Sequence, residues 1–195
     1  MKSGVFGGTF DPPHHGHLIA AEFVREQQNL DRILFVPNSI PPNKSAEGVS
    51  PPQDRLAMLR GAVTNFPLFE VLDIEISRGG ISYSVDTVRL MKELFPKDEL
   101  HLIIGVDNLK EFDTWKDPEE ILKLVHIIAM SRPGIGGPPP AYQMRKGVSM
   151  CNIPLIDISA TEIRQRVSKG LPIRYLVPAE VEEYIKRKGL YSGKI

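Results

Sequence analysis

The sequence is poor in cysteine, with Cys151 the only one among 195 residues. A single thiol cannot form a disulfide within the chain, so we expect a reducing compartment and a cytoplasmic protein. Cys151 follows Met150 in an apolar run, which favours a small buried side chain over a nucleophile. Tryptophan is equally scarce, and Trp115 is the only one.

Long apolar runs and an excess of either charge are also missing. No run reaches the roughly 18 apolar residues that span a membrane as a helix, and the first residues lack the pattern of a signal peptide. The 24 Lys and Arg residues balance the 24 Asp and Glu residues, so the formal net charge is zero. We therefore expect no membrane partner and no nucleic acid held by bulk charge, and any anion site must be local.

The remaining sequence alternates between short apolar runs and segments with helical periodicity. Such alternation, with neither an internal repeat nor a second domain boundary, predicts an α/β fold. We expect a Rossmann-like doubly wound parallel sheet in a single domain over residues 1–195, with a small helical C-terminal part. Strands are predicted at 1–6, 32–36, 69–76, 100–105, 125–130 and 153–158, and helices at 16–28, 51–63, 85–95, 107–112, 118–124, 161–169 and 178–188.

The most informative stretch follows the first predicted strand and reads Gly-Gly-Thr-Phe-Asp-Pro-Pro-His-His-Gly-His from Gly7 to His17. Glycines let backbone N–H groups approach anionic oxygens, and a helix that begins near Gly16 directs its positive end to the same place. His14 and His17 share one helical face and can donate hydrogen bonds to phosphoryl oxygens. A zinc site or a solvated turn are the alternatives, but zinc needs about four ligands and no His-Glu-x-x-His or Cys-x-x-Cys is present.

A second segment, from Ile158 to Arg164, also follows a predicted strand and opens a helix. Ser159 and Thr161 carry hydroxyls beside the unpaired N–H groups of a first helical turn. Arg164, one turn later, offers a planar donor group suited to phosphate. From spacing alone, an N-capped surface helix fits equally well.

These two segments carry a resemblance to a known family. Gly-Gly-Thr-Phe-Asp-Pro-x-His-x-Gly-His is the signature of the nucleotidyltransferases that share His-x-Gly-His with class I aminoacyl-tRNA synthetases, and its form here resembles the bacterial nicotinate-nucleotide adenylyltransferase family. The second segment is similar to the family's Ile-Ser-x-Thr-x-Ile-Arg motif, although Ala160 stands where a second serine is common. The resemblance extends from Gly7 to Arg164, nearly the whole chain.

The resemblance implies transfer of AMP from ATP to nicotinate mononucleotide, which yields deamido-NAD and pyrophosphate. Mg²⁺ would accompany ATP, held mainly by phosphates and water, so no protein residue is assigned to a metal. The catalytic residues it implies are His14 and His17. The ATP-binding residues are Gly7, Gly8, Thr9, Phe10, Lys44, Arg132, Ser159, Thr161 and Arg164, and the acceptor-binding residues are Ser82, Tyr83, Ser84, Asp107 and Trp115.

Several of these assignments have a simpler alternative. Lys44 follows Asn43, where the family usually has histidine, and it can be a solvated loop residue. Trp115 can be core, Ser84 a helix N-cap, and the Pro-Gly after Arg132 a turn. The function also has alternatives. The chain could be a cytidylyltransferase, or an adenylyltransferase that uses nicotinamide mononucleotide or phosphopantetheine as the acceptor. It could also be a nucleotide-binding module without catalytic activity. The sequence leaves open whether copies of the chain form a homo-oligomer.

Overall fold

The computed structural model describes residues 1–41, 48–131 and 145–193. The strands in these ranges are β1 (Lys2–Gly8), β2 (Arg32–Pro37), β3 (Phe69–Val71), β4 (Glu99–Gly105), β5 (His126–Ser131) and β6 (Val148–Asn152). The helices are α1 (His15–Gln27), α2 (Pro52–Val63), α3 (Ile74–Arg78), α4 (Ser84–Leu94), α5 (Val106–Lys110), α6 (Pro118–Leu124), α7 (Ala160–Ser168) and α8 (Ala179–Lys188). A 3₁₀ turn covers Phe112–Thr114.

The six strands form one sheet in the order β3-β2-β1-β4-β5-β6, and every pairing is parallel. The central strands are buried on both faces, which explains their continuous apolar runs. On β2, Ile33 and Phe35 face the core shared with α1, α2, α7 and α8, whereas Leu34 and Val36 face the core shared with α4, α5 and α6. The predicted doubly wound parallel sheet is confirmed.

The strand order creates a crevice beside β1. The chain leaves β1 through α1 on one face of the sheet, whereas α4, on the other face, leads into β4 on the far side of β1. The carboxyl ends of β1 and β4 therefore border the topological switch point, where open α/β sheets bind ligands. The loop that begins at Gly8 lies at this point, as the sequence predicts.

The prediction of a strand over 69–76 is wrong beyond Val71. β3 pairs with β2 only as far as the Phe35–Val71 register pair, and the chain then turns into α3. Two i to i−4 bonds form there: Ser77 N–H donates to Asp73 O at 2.8 Å and Gly79 N–H to Glu75 O at 2.9 Å. The alternating apolar residues after Val71 pack a short helix against the sheet instead of extending its edge.

The prediction of a last strand over 153–158 is also wrong, because the sixth strand is Val148–Asn152. Cys151 lies in β6 and is 1% exposed, as expected of a small buried side chain. Ile153 N–H still donates to Ser131 O at 3.0 Å, but Pro154 has no N–H to continue the ladder. The following residues cross towards α1, so that Ile156 lies beside Gly16.

The remaining boundaries agree with prediction within about two residues, the margin at which helix ends are defined. α4 begins at Ser84 itself, and Tyr83 rather than Ser84 occupies the N-cap position. In the described part of the chain, no helix is long and apolar enough to cross a bilayer.

Candidate active site

The loop after β1 rests on a buried aromatic ring. Phe10 has a left-handed backbone (φ 50°) and is 2% exposed. Its ring lies 5.0 Å from the His17 ring, centroid to centroid, in an edge-on arrangement. A Cβ at Gly8 would come within 2.9 Å of the Phe10 ring, so glycine is needed there. Phe10 thus packs under the loop at Gly8 and against the ring of His17. The resemblance instead groups Phe10 with the ATP-binding residues.

The two predicted catalytic histidines are stacked, with ring centroids 3.7 Å apart and planes 26° apart. The backbone N–H of His14 donates to Nδ1 of His17 at 3.2 Å. Because Nδ1 accepts, the neutral His17 ring carries its proton on Nε2. A Cβ at Gly16 would lie 3.0 Å from His14 Nδ1, so this glycine allows the close approach.

The histidines line a cavity of about 420 Å³, which we call the histidine cavity. It extends over the carboxyl ends of β4 and β5 to the start of α7. Its wall includes His14, Gly16, His17, Gly105, Asp107, Asn108, Met130, Ile156, Ser159 and Ala160. Ser159 caps α7 by accepting a hydrogen bond from Glu162 N–H at 3.1 Å, so the N-cap interpretation is confirmed, and the phosphate-binding role of the segment stays a prediction.

A second cavity of about 320 Å³, the tryptophan cavity, lies on the other side of the same crevice. Its wall includes Gly7, Gly8, Thr9, Asn38, Glu75, Ser82, Ser84 and Trp115. The two cavities share Phe6, Gly105 and Asn108, at the ends of β1 and β4. Asn108 supplies the polar side chain in this shared wall, and it was not predicted from the sequence.

The predicted acceptor residues divide between the two cavities. Ser82, Ser84 and Trp115 line the tryptophan cavity, and Tyr83 precedes the first turn of α4 beside them. Asp107 instead borders the histidine cavity, with a side chain that is 79% exposed and lies 3.8 Å from Lys110 Nζ. Its assignment to the acceptor stays a prediction, and the structure does not bring it together with the others.

The predicted ATP residues are also divided. Gly7, Gly8 and Thr9 line the tryptophan cavity where it meets the histidine cavity. The Thr9 hydroxyl accepts from Asn38 Nδ2 at 3.2 Å, so its own proton is available to a ligand. Lys44 and Arg132 lie outside the described residues.

Thr161 and Arg164 line a third cavity of about 650 Å³, together with Ser50 and Tyr191. Arg164 Nη1 donates to Asp11 O at 2.7 Å and Nη2 to Thr161 Oγ1 at 3.3 Å. The guanidinium therefore ties α7 to the loop after β1, and its role in phosphate binding stays a prediction.

Asp11 is the centre of a buried contact that sequence motifs did not reveal. Its Oδ1 accepts from Tyr191 Oη at 2.5 Å and its Oδ2 from Ser50 N–H at 3.0 Å. Burial and the adjacent Asp11 carboxylate raise the pKa of Tyr191, so the phenol stays protonated and donates. The loop after β1 is thus held by a residue 180 positions later in the chain.

Arg55 is fully buried behind the tryptophan cavity. Its guanidinium makes five hydrogen bonds to oxygens of Thr9, Asn38, Ser39 and Ser50, between 2.8 and 3.2 Å. Burial lowers the pKa of Arg55, but an arginine remains charged under all ordinary conditions. Arg55 fixes the loops after β1 and β2 to each other.

No cluster of three or more His, Cys, Asp and Glu side chains that could hold a metal ion occurs within residues 1–41, 48–131 and 145–193. A cation that enters with a phosphate ligand requires few protein ligands, because phosphate oxygens and water complete its shell.

Comparison with known proteins agrees with this geometry. Residues 5–166 match the cytidylyltransferase-like family. A probable nicotinate-nucleotide adenylyltransferase of Desulfitobacterium hafniense is 42% identical, covering 97% of this chain and 95% of the relative. Another, from Dictyoglomus thermophilum, is 43% identical over 98% of this chain and 100% of the relative.

Solved structures share the fold. The Plasmodium falciparum nicotinic acid mononucleotide adenylyltransferase complexed with NaAD superimposes with a TM-score of 0.81 at 20% identity, covering 98% of both chains. The same enzyme complexed with APC gives a TM-score of 0.80 at 19% identity, covering 97% of this chain and 96% of that one. With its motifs in their expected order around the switch point and relatives matched over their whole length, the chain belongs to the cytidylyltransferase-like family and, within it, to the nicotinate-nucleotide adenylyltransferases.

Proposed function

We propose that this protein transfers AMP from ATP to nicotinate mononucleotide, forming deamido-NAD and pyrophosphate. The observation that carries the proposal is the meeting of two cavities at the ends of β1 and β4, one lined by the stacked histidines and the other by Trp115. A reaction between two nucleotides needs such a pair of adjoining pockets. The shared name of the full-length relatives supports this acceptor.

The donor nucleotide occupies the histidine cavity. An oxygen of the acceptor phosphate attacks the α-phosphorus of ATP in line, a new P–O bond forms, and the bond to the bridging oxygen of pyrophosphate breaks. No protein nucleophile takes part, so catalysis consists of positioning and charge stabilisation. His17 Nε2–H and the positive end of α1 stabilise the charge that builds up on the phosphoryl oxygens. Mg²⁺ enters with ATP and neutralises part of its charge.

The acceptor occupies the tryptophan cavity. Trp115 offers an indole face to the pyridine ring, an arrangement that offset stacking favours. Ser82 and Ser84 bring the first turn of α4 to the wall, and the first N–H groups of a helix have no partner within it. These donors favour the carboxylate of nicotinate over the amide of nicotinamide, because a carboxylate only accepts hydrogen bonds whereas an amide also donates.

We place the reaction in the cytoplasm. Cys151 is free and buried, and burial raises the pKa of its thiol, so it serves as a small core residue. Because a single buried thiol cannot form a disulfide within the chain, an oxidising compartment would not stabilise the fold.

The first experiment measures pyrophosphate release by the purified protein with ATP and Mg²⁺. Nicotinate mononucleotide, nicotinamide mononucleotide and phosphopantetheine are compared as acceptors at equal concentrations. We expect rapid release with nicotinate mononucleotide alone. Equal use of both pyridine nucleotides would contradict the carboxylate argument, and release only with phosphopantetheine would assign the tryptophan cavity to another acceptor. ATP binding without release in any mixture would indicate a non-catalytic nucleotide-binding module.

A further inference from the structure

Two charged side chains lie buried around the tryptophan cavity without touching each other. Arg55 is 0% exposed and Glu75 is 6% exposed. All five hydrogen bonds of Arg55 end on neutral oxygens. A buried charge destabilises the fold unless an opposite charge balances it, and the opposite charges of Arg55 and Glu75 can do so only through the groups that lie between them.

One peptide group and one hydroxyl connect them. Arg55 Nη2 donates to Asn38 O at 2.8 Å, and the N–H of the same peptide, that of Ser39, donates to Ser82 Oγ at 2.9 Å. The Ser82 hydroxyl in turn interacts with the Glu75 carboxylate and favours its charged form. Cation, peptide, hydroxyl and carboxylate are thus polarised in one direction, and hydrogen bonds in such a chain strengthen one another.

Glu75 also holds the far end of the same segment. Thr87 Oγ1, in the first turn of α4, donates a hydrogen bond to Glu75 Oε1. The carboxylate therefore interacts with the hydroxyls that flank residues 83–86, those of Ser82 and Thr87. The backbone of Ser82 is also fixed, because its N–H donates a hydrogen bond to Ile40 O at 2.8 Å. Asn38, Glu75, Ser82 and Ser84 all line the tryptophan cavity.

We propose that Glu75 is the positioning residue of the acceptor site. Its carboxylate accepts from Thr87 and interacts with the Ser82 hydroxyl, fixes the orientation of the helix start between them, and is balanced by Arg55 through the Asn38–Ser39 peptide. This inference rests on the proposed function in assigning the acceptor to the tryptophan cavity. Burial raises the pKa of Glu75, and the two hydroxyls, with Arg78 and Arg55, oppose that rise.

The test compares Glu75→Gln with Asp73→Asn. Both exchange a carboxylate for an amide, but Asp73 is half exposed and pairs with Arg60 at 3.2 Å outside the cavity. Glutamine keeps the size of the side chain but lacks the negative charge, so its interactions with the two hydroxyls are weaker than those of the carboxylate. In Glu75→Gln we expect the acceptor KM to rise about tenfold, while kcat and the ATP KM stay within about twofold. Asp73→Asn should change none of the three.

Ser82→Ala provides the second variant, because it removes the middle of the chain and leaves the carboxylate in place. If the groups act as one unit, the double variant Glu75→Gln/Ser82→Ala should raise the acceptor KM no further than the worse single variant. Additive effects, an unchanged acceptor KM in Glu75→Gln, or equal rises in both KM values would overturn the proposal. Thermal unfolding of each variant separates these results from loss of folding, and Ser82→Ala alone decides if Glu75→Gln does not fold.

The wild-type reaction separates this proposal from the proposed function. If the wild-type protein uses an acceptor other than nicotinate mononucleotide, the proposed function fails, and the same KM comparison is made with the acceptor that it uses. A selective effect of Glu75→Gln on that acceptor would still support the positioning role, and no effect would refute it.

Discussion

At the scale of single residues, one backbone contact decides what His17 can do. Because Nδ1 accepts from His14 N–H, the neutral ring carries its proton on Nε2, from which it can donate to an anionic oxygen. His17→Ala removes this donor, and we expect kcat to fall roughly hundredfold or more, as for the loss of one transition-state hydrogen bond. The measurement is the steady-state rate of pyrophosphate release at saturating ATP and acceptor.

His15→Ala is the matched control for His17. Its backbone N–H donates to Leu176 O at 3.0 Å, and this bond survives the substitution. The side chain of His15 lines neither the histidine cavity nor the tryptophan cavity. We expect a rate close to that of the wild-type protein, and comparable losses in the two variants would refute the role given to His17.

The sequence left two roles open for Trp115, core packing and contact with the acceptor. It packs on Phe112 with ring centroids 5.4 Å apart, yet it also lines the tryptophan cavity, so one ring serves both core and site. Trp115→Ala should raise the KM of nicotinate mononucleotide at least about tenfold, because stacking and apolar contact are both lost, and should change the ATP KM much less.

Trp115→Phe tests the stacking argument directly. Phenylalanine keeps an aromatic face with less area, so we expect an acceptor KM between those of the wild-type protein and Trp115→Ala. Equal effects of Trp115→Ala on the two KM values, together with a large drop in melting temperature, would show that the residue is only core.

Several residues predicted from local motifs come together at the crevice in the structure. His14, His17, Ser82 and Trp115 line the crevice at the switch point. The sequence did not predict roles for Asp11 and Glu75, because these roles depend on hydrogen-bond partners that are distant in the chain. The Tyr191 hydroxyl that holds Asp11 is 180 positions away, and no local pattern encodes such a contact.

At the scale of elements, α7 is attached to the catalytic loop by Arg164. Its two hydrogen bonds reach Asp11 O and Thr161 Oγ1, and the guanidinium lines the third cavity beside the start of α7. Arg164→Ala removes both the positive charge and the tie, so we expect the ATP KM to rise about tenfold and the acceptor KM about twofold.

Arg166 provides the control on the same helix. Its Nε donates to Pro172 O at 3.1 Å, away from the histidine and tryptophan cavities. Arg166→Ala should leave both KM values near those of the wild-type protein. If Arg164→Ala and Arg166→Ala lowered the melting temperature equally without a selective change in the ATP KM, the role of Arg164 would be structural.

The two elements that the sequence predicted wrongly share a cause. Both 69–76 and 153–158 are short segments rich in apolar residues, which is the composition expected of a buried strand. In the fold, apolar side chains at these positions pack a short helix and an extended segment beside α1. An extended segment becomes a strand only if an unpaired edge of the sheet lies beside it. The position of that edge is a property of the tertiary structure and is not encoded locally.

At the scale of the whole molecule, alternation of strands and helices was sufficient to predict a doubly wound sheet. The reason is physical: strands buried on both faces must be continuous apolar runs, and parallel connections must cross through helices. The division of the predicted nucleotide contacts among three cavities was not predictable. It depends on how α7 and α4 approach the crevice from opposite faces of the sheet.

We expect two histidines at the opposite end of the sheet to contribute to the pH dependence of stability. His101 and His126 are register partners on β4 and β5, with ring centroids 5.5 Å apart. Burial lowers the pKa of both rings, while Glu99 opposes the shift and, at His101, Lys2 adds to it. Both rings belong to the amino-terminal half of their strands, whereas the crevice lies at the carboxyl ends.

A histidine whose pKa is lowered on folding binds protons more readily in the unfolded chain. Above the unfolded pKa of about 6.5 the ring is neutral in both states, and protonation does not reduce the free energy of unfolding. As the pH falls below that value, protons bind preferentially to the unfolded chain, and the free energy of unfolding decreases until the lower folded pKa is reached. We expect the urea midpoint to decrease between about pH 7.5 and about pH 5.5 and His101→Gln to reduce this decrease, because glutamine does not titrate. The pH profile of kcat should not change, since His101 is remote from the crevice. A midpoint with the same pH dependence in both proteins would show that other groups control acid stability.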